Sequence, residues 1–153
     1  MNTSIVRHLG LVTLLVGLAS LAHADAPSGR FTVTSGAVYD NKTKLTWLQS
    51  VPSTKSCWEC AKNYCASLGG PGWHLPTIKE LLTIVDYSRS NPAVDPTAFP
   101  STPADYFWSS TPGAKAAGTS WPTAWAVNFS AGIARTAETT VTPAPEYYVR
   151  CVH

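Results

Sequence analysis

The chain has 153 residues, four cysteines and a formal charge of +2. That near-balance gives no cationic footprint for nucleic acid and argues against binding driven mainly by polyanion charge. The length suits one domain around a single core.

The N-terminus comes first. One charge, Arg7, precedes the apolar run LGLVTLLVGLASLA, and Ala22-His23-Ala24 then stands before Asp25. This is the n-region, h-region and A-x-A pattern of a secretory signal peptide, residues 1–24, cleaved after Ala24. About 14 apolar residues fall short of the ~20 that span a bilayer, so no stable membrane anchor is expected after cleavage. The remaining chain, 25–153, reads as a single exported domain, periplasmic or extracellular. An even number of cysteines there reads as a disulfide framework.

Along that domain, Arg30–Val33 and Ala37–Asp40 look like short strand. Asp40–Lys44 supplies turn chemistry and Leu45–Leu48 resumes in strand-forming residues, which together read as a hairpin. Ser56 and Glu59 have the spacing of a capping box. Trp58, Ala61, Cys65 and Leu68 then recur at helical spacing until Gly69-Gly70-Pro71-Gly72, giving a helix over about 57–68. Thr77 with Glu80 opens a second helix in TIKELLTIVDYS, with Ile78, Leu81, Leu82 and Val85 as its buried stripe. From Asn91 to Thr123 six prolines interrupt a long irregular region, with Phe107–Ser110 as the one strand candidate. Trp125–Phe129 and Ile133–Arg135 read as a second hairpin, and Tyr147–Val152 as a closing strand. Strands, two helices, loops and strands again make an α+β fold and not a βαβ repeat.

Three cysteines lie in the stretch SCWECAKNYC, and Cys151 stands far from them. A redox pair is one reading, because Cys57-x-x-Cys60 at a helix start is where a thiol pKa is lowered. No βαβ framework precedes it. A metal site is another, all-thiolate or zinc with His74 or His153. Cys65 projects about 140° round the helix from Cys60, which prevents one helix from aiming all three at one ion. The third reading is structural. Cys65 shares the apolar face, so it pairs with Cys151 on the last strand, leaving Cys57 to pair locally with Cys60. Closing a loop of about 87 residues is worth roughly 4.5 kcal/mol in the chain-entropy model. The structural reading is adopted, with no metal and no cofactor expected.

The ordered series Thr46-Trp47, Trp58-x-x-Ala61-x-x-x-Cys65, Gly72-Trp73-His74-Leu75-Pro76-Thr77-x-x-Glu80-Leu81, Ala98-Phe99-Pro100, Trp108-Ser109-Ser110-Thr111, Trp125-x-Val127-x-Phe129 and Val149-Arg150-Cys151-Val152 resembles the Lcl C-terminal domain family. Its members are exported bacterial domains. The resemblance implies a C-type-lectin-like fold: two helices packed on a small antiparallel sheet, a long loop region, and a disulfide from helix to last strand. The family is named for the terminal domain of a collagen-like adhesin, so adhesin-like binding outside the cell is implied. Two departures stand out: the usual Trp-Arg-Leu-Pro is Trp73-His74-Leu75-Pro76 here, and no collagen repeat is present.

For function this points to a non-catalytic recognition module for a glycan or protein ligand at the cell envelope or outside. The expected contact surface is about 91–123. Trp121, on an irregular loop, is the ligand-anchor candidate, since tryptophan is enriched at hot spots. Tyr106 and His74 are further ligand candidates, each with packing as its competing role. Calcium-dependent sugar binding is not expected, because Asp95 and Asp105 are the only carboxylates there and calcium wants six or more oxygens. No nucleophile elbow or phosphate-cradling glycine loop suggests an enzyme. A thiol-disulfide protein working through Cys57 and Cys60, or a structural subunit of a surface assembly, are the alternatives.

Overall fold

A computed structural model describes residues 29–70, 72–114 and 122–153. The signal-peptide reading therefore lies outside the described residues. The first sheet is a meander of β1 (Phe31–Thr34), β2 (Ala37–Asp40) and β3 (Thr46–Leu48). It contains one more tight turn than the single hairpin expected. Thr34 pairs with Ala37 across Ser35-Gly36, and Gly36 takes the positive φ of +78° that such a turn requires. Asp40 ends β2 fully buried and accepts from the backbone N–H of Lys42 and Thr43, which folds the next turn.

Helix α1 (Trp58–Ser67) starts one residue later than its sequence signature. Ser56 is not its cap: both its backbone groups pair with Tyr147, at 2.9 and 3.1 Å. Cys57 caps instead, its Sγ accepting from the Cys60 N–H at 3.1 Å. Helix α2 (Ile78–Thr83) has the expected capping box between Thr77 and Glu80. It is shorter than the pattern suggested. The Asp86 N–H bonds the Ala93 carbonyl while its carboxylate accepts from Ser88, so local side-chain bonding ends the helix.

The proline-rich region yields β4 (Tyr106–Pro112), which pairs with β5 (Thr123–Asn128), itself paired with β6 (Ile133–Glu138). Two three-stranded antiparallel sheets thus replace the one small sheet expected. Strand alternation explains the layout. Phe107, Val127 and Phe129 face one core with Trp47, Leu81 and Phe99. Trp108, Ala124 and Ala126 face the other, with Ala61, Cys65 and Leu75. Helix α1 closes the second core and α2 the first, so the second sheet is covered on both faces.

Tyr147–Val152 is not the continuous strand expected. It makes isolated bridges instead: Tyr147 to Ser56, Tyr148 to Phe107, and Val152 to both Trp47 and His74. Period-2 alternation still governs it, with Tyr147, Val149 and Cys151 in the second core and Tyr148 and Val152 in the first. Arg150 follows the same phase. It is 1% exposed and stacks over Phe99 at 4.8 Å. Its guanidinium donates to the Leu48 and Gln49 carbonyls at 2.9 and 2.8 Å and to Thr102 Oγ1 at 2.7 Å. Burial with no carboxylate partner among the described residues pushes its pKa down to about 9.

Candidate functional site

All four cysteines are oxidised, as Cys57–Cys60 and Cys65–Cys151. Cys65 and Cys151 are fully buried, whereas Cys60 is exposed at the first turn of α1. The described residues contain no group of three or more His, Cys, Asp or Glu side chains placed to hold a metal ion. None of their helices is long and apolar enough to cross a membrane.

His74 is held by its backbone, which exchanges two hydrogen bonds with Val152 at 2.9 and 3.0 Å. That places its half-exposed ring beside the start of α2, with Nδ1 2.7 Å from the Gly72 carbonyl and Nε2 3.6 Å from Glu80 Oε2. Strand β4 is stitched to the same region. The Ser110 N–H donates to the Pro76 carbonyl at 2.7 Å, and the Ile78 N–H donates to Thr111 Oγ1 at 2.9 Å. On the α1 side, Trp58 Nε1 donates to the Ser109 carbonyl at 2.7 Å. Lys62 lies over the Trp58 ring at 4.5 Å and pairs with Glu59 at 3.2 Å.

Between these anchored pieces opens a groove of about 320 Å³. Leu75 and Ala66 supply apolar surface, and Lys62, Asn63, His74 and Ser110 supply polar groups. The Asn63 carboxamide and Ser110 hydroxyl have no hydrogen-bond partner among the described residues, so both can bond a ligand. Lys62 has the Glu59 carboxylate close by, which offsets its positive charge in the groove. No hydrogen bond links Ser110 Oγ to His74, and the two ring nitrogens of His74 face Gly72 and Glu80. The arrangement therefore lacks the nucleophile–base contact of covalent catalysis.

The family model described as the Lcl C-terminal domain matches residues 36–153. The chain belongs to the Lcl C-terminal domain family. No curated protein matches the sequence. The groove, both disulfides and Arg150 lie within the Lcl C-terminal domain match. So does His74, the position at which the resemblance gives arginine.

Of the other ligand candidates, Tyr106 is not at the groove. It lies half-buried on β4, stacked on Tyr147 at 4.9 Å, with the Arg135 guanidinium 3.9 Å from its ring centre. Arg135 donates to the Tyr147 hydroxyl at 2.7 Å, and this bond raises its pKa. Trp121 lies outside the described residues. Lys62 and Asn63 carry no motif, and Ser110 stands in Trp108-Ser109-Ser110-Thr111 with no local sign of a binding role; only the packing of α1 on β4 makes them groove residues.

Proposed function

We propose that the protein is an exported, non-catalytic recognition module of C-type-lectin-like fold, which binds a glycan or protein ligand at the cell envelope or outside. The observation that carries this reading is the groove between α1, His74 and β4, where uncommitted amide and hydroxyl groups ring an apolar floor. Such lining suits orientation of a polar ligand over an apolar contact. The frame is braced on both sides, because α1 is tied through Cys65 to Cys151 and His74 is paired to Val152. A braced site loses little ordering entropy on binding. The test is an array of glycans and envelope proteins probed with the oxidised protein, followed by Asn63→Ala and Ser110→Ala. Binding that weakens about tenfold or more in either variant supports the reading. Ligands that bind both variants and the parent equally would remove the groove from it.

The exposure of Cys60 supports a second reading, thiol-disulfide exchange through Cys57–Cys60. It predicts that this bond opens at mild reducing potential while Cys65–Cys151 holds. Mass spectrometry after graded reduction distinguishes the two: equal resistance of both bonds rules exchange out.

A further inference from the structure

A second site lies on the loop Asp86–Ala93, apart from the groove. The loop is closed at its base by the Asp86 N–H on the Ala93 carbonyl at 3.0 Å. The Asp86 carboxylate clamps its interior, accepting from the Ser88 N–H at 2.9 Å and from Arg89 Nε at 3.2 Å. Its far limb is pinned to the β5–β6 turn, Asn91 N–H to Ser130 carbonyl at 3.0 Å and Ala93 N–H to Phe129 carbonyl at 2.6 Å.

This braced loop displays Tyr87 with 73% of its surface in solvent. The ring of Tyr87 is seated on Gly132, where a Cβ would come within 3.1 Å of its Cε1 and 2.5 Å of Val85 Cγ1. A missing side chain at residue 132 thus lets the ring lie on bare backbone. One edge is fixed and much of the ring remains in solvent. The same loop lines a pocket of about 370 Å³ with Arg89, Ser90 and Asn91 against Pro92, Val94 and Pro96. The Ser90 hydroxyl and Asn91 carboxamide make no hydrogen bond among the described residues. Arg89 pairs with Asp86, so the loop presents no unbalanced cation.

An exposed, seated aromatic ring on the same loop as a small pocket with free amide and hydroxyl groups matches one ligand chemistry well. A pyranose has an apolar C–H face for the ring and hydroxyls for the amide, and it carries no charge. We infer that the loop Asp86–Ala93, with Tyr87, Ser90 and Asn91, is a binding site for a neutral saccharide, its apolar C–H face meeting Tyr87 and its hydroxyls the amide and hydroxyl groups of the same loop. The site is separate from the groove at His74 and does not depend on the proposal made for it.

The experiment is a titration of the ¹⁵N-labelled, oxidised protein with cellobiose, lactose and N,N′-diacetylchitobiose, followed by amide shifts. At least one disaccharide should move the amides of residues 86–96 and leave those of Asn63 and His74 in place. Tyr87→Ala should weaken that binding about tenfold or more, whereas Tyr87→Phe, which keeps the ring face, should retain it. Asn91→Ala should also weaken it. Unchanged unfolding midpoints and unshifted remote amides establish that each variant is folded. Absence of shifts in the loop with all three disaccharides overturns the inference. So does binding that survives Tyr87→Ala unchanged.

Discussion

Removal of the Cys65–Cys151 bond should cost the domain more stability than any other single cross-link it has. The perturbation is the double variant Cys65→Ala/Cys151→Ala, which leaves no unpaired thiol and keeps Cys57–Cys60. The bond joins residues 86 apart in sequence. Loop-closure entropy over that span corresponds to about 4.5 kcal/mol. Both sulfurs are fully buried, so their loss adds a packing cost of about 1 kcal/mol. For a domain of this size, roughly 0.25 kcal/mol per degree, the melting midpoint should drop by about 22 °C. The control is Cys57→Ala/Cys60→Ala, whose separation of 3 closes only a helical turn. The same relation gives it at most about 2 kcal/mol. Calorimetry and urea unfolding of the three proteins side by side provide the readout. If the two double variants lose equal stability, loop length is not what makes the long bond valuable, and the reasoning fails.

Gly132→Ala should destabilise by about 2 kcal/mol, read from urea midpoints, because φ is +70° and the new Cβ would meet Val85 at 2.5 Å. Arg150→Lys should cost at least about 1.5 kcal/mol in the same assay, since a single ammonium cannot reproduce the fork that spans two carbonyls and Thr102. Acid should also unfold the protein. Burial alone would raise Asp40, but hydrogen bonds from Arg30, Lys42 and Thr43 and the Arg30 charge hold it below its ordinary 3.8. Asp105 is lowered too, burial being outweighed by Lys55 and the Tyr106 N–H. Both contributions are complete above the unfolded value and are lost as pH falls through the lower folded one. Stability should therefore be flat above about pH 5 and drop below pH 4. Asp40→Asn should flatten that acid limb and cost about 1.5–3 kcal/mol at neutral pH.

Local chemistry was legible in the sequence. Thr77 and Glu80 meet as their spacing says, and Ala61 and Cys65 face inward on the predicted helix side. Long-range pairing was not. Ser56 has the sequence of a cap, yet its backbone is claimed by Tyr147, which lies far along the chain. Tyr147–Val152 alternates like a strand and behaves as one in its side chains, but it serves several partners in turn, which no local pattern encodes. Asp86 stands in an apolar helical run, and the preference of its carboxylate for nearby backbone N–H groups outweighed the periodicity. For the candidate site, His74 was identified from sequence alone. Ser110 was not, because its value comes from the neighbours that β4 brings to it.

The segment Tyr147–His153 has a consequence for how the molecule comes into being. It pairs with Thr46, Trp47, Ser56, His74 and Phe107, and it supplies side chains to both cores. Neither core is complete before this segment is present. Completion of the fold therefore rests on contacts distant in sequence, which form slowly. A nascent chain that stays open for that long remains threadable through a narrow channel, as the proposed export demands. The oxidation of Cys65 with Cys151 would then set the finished fold on the far side.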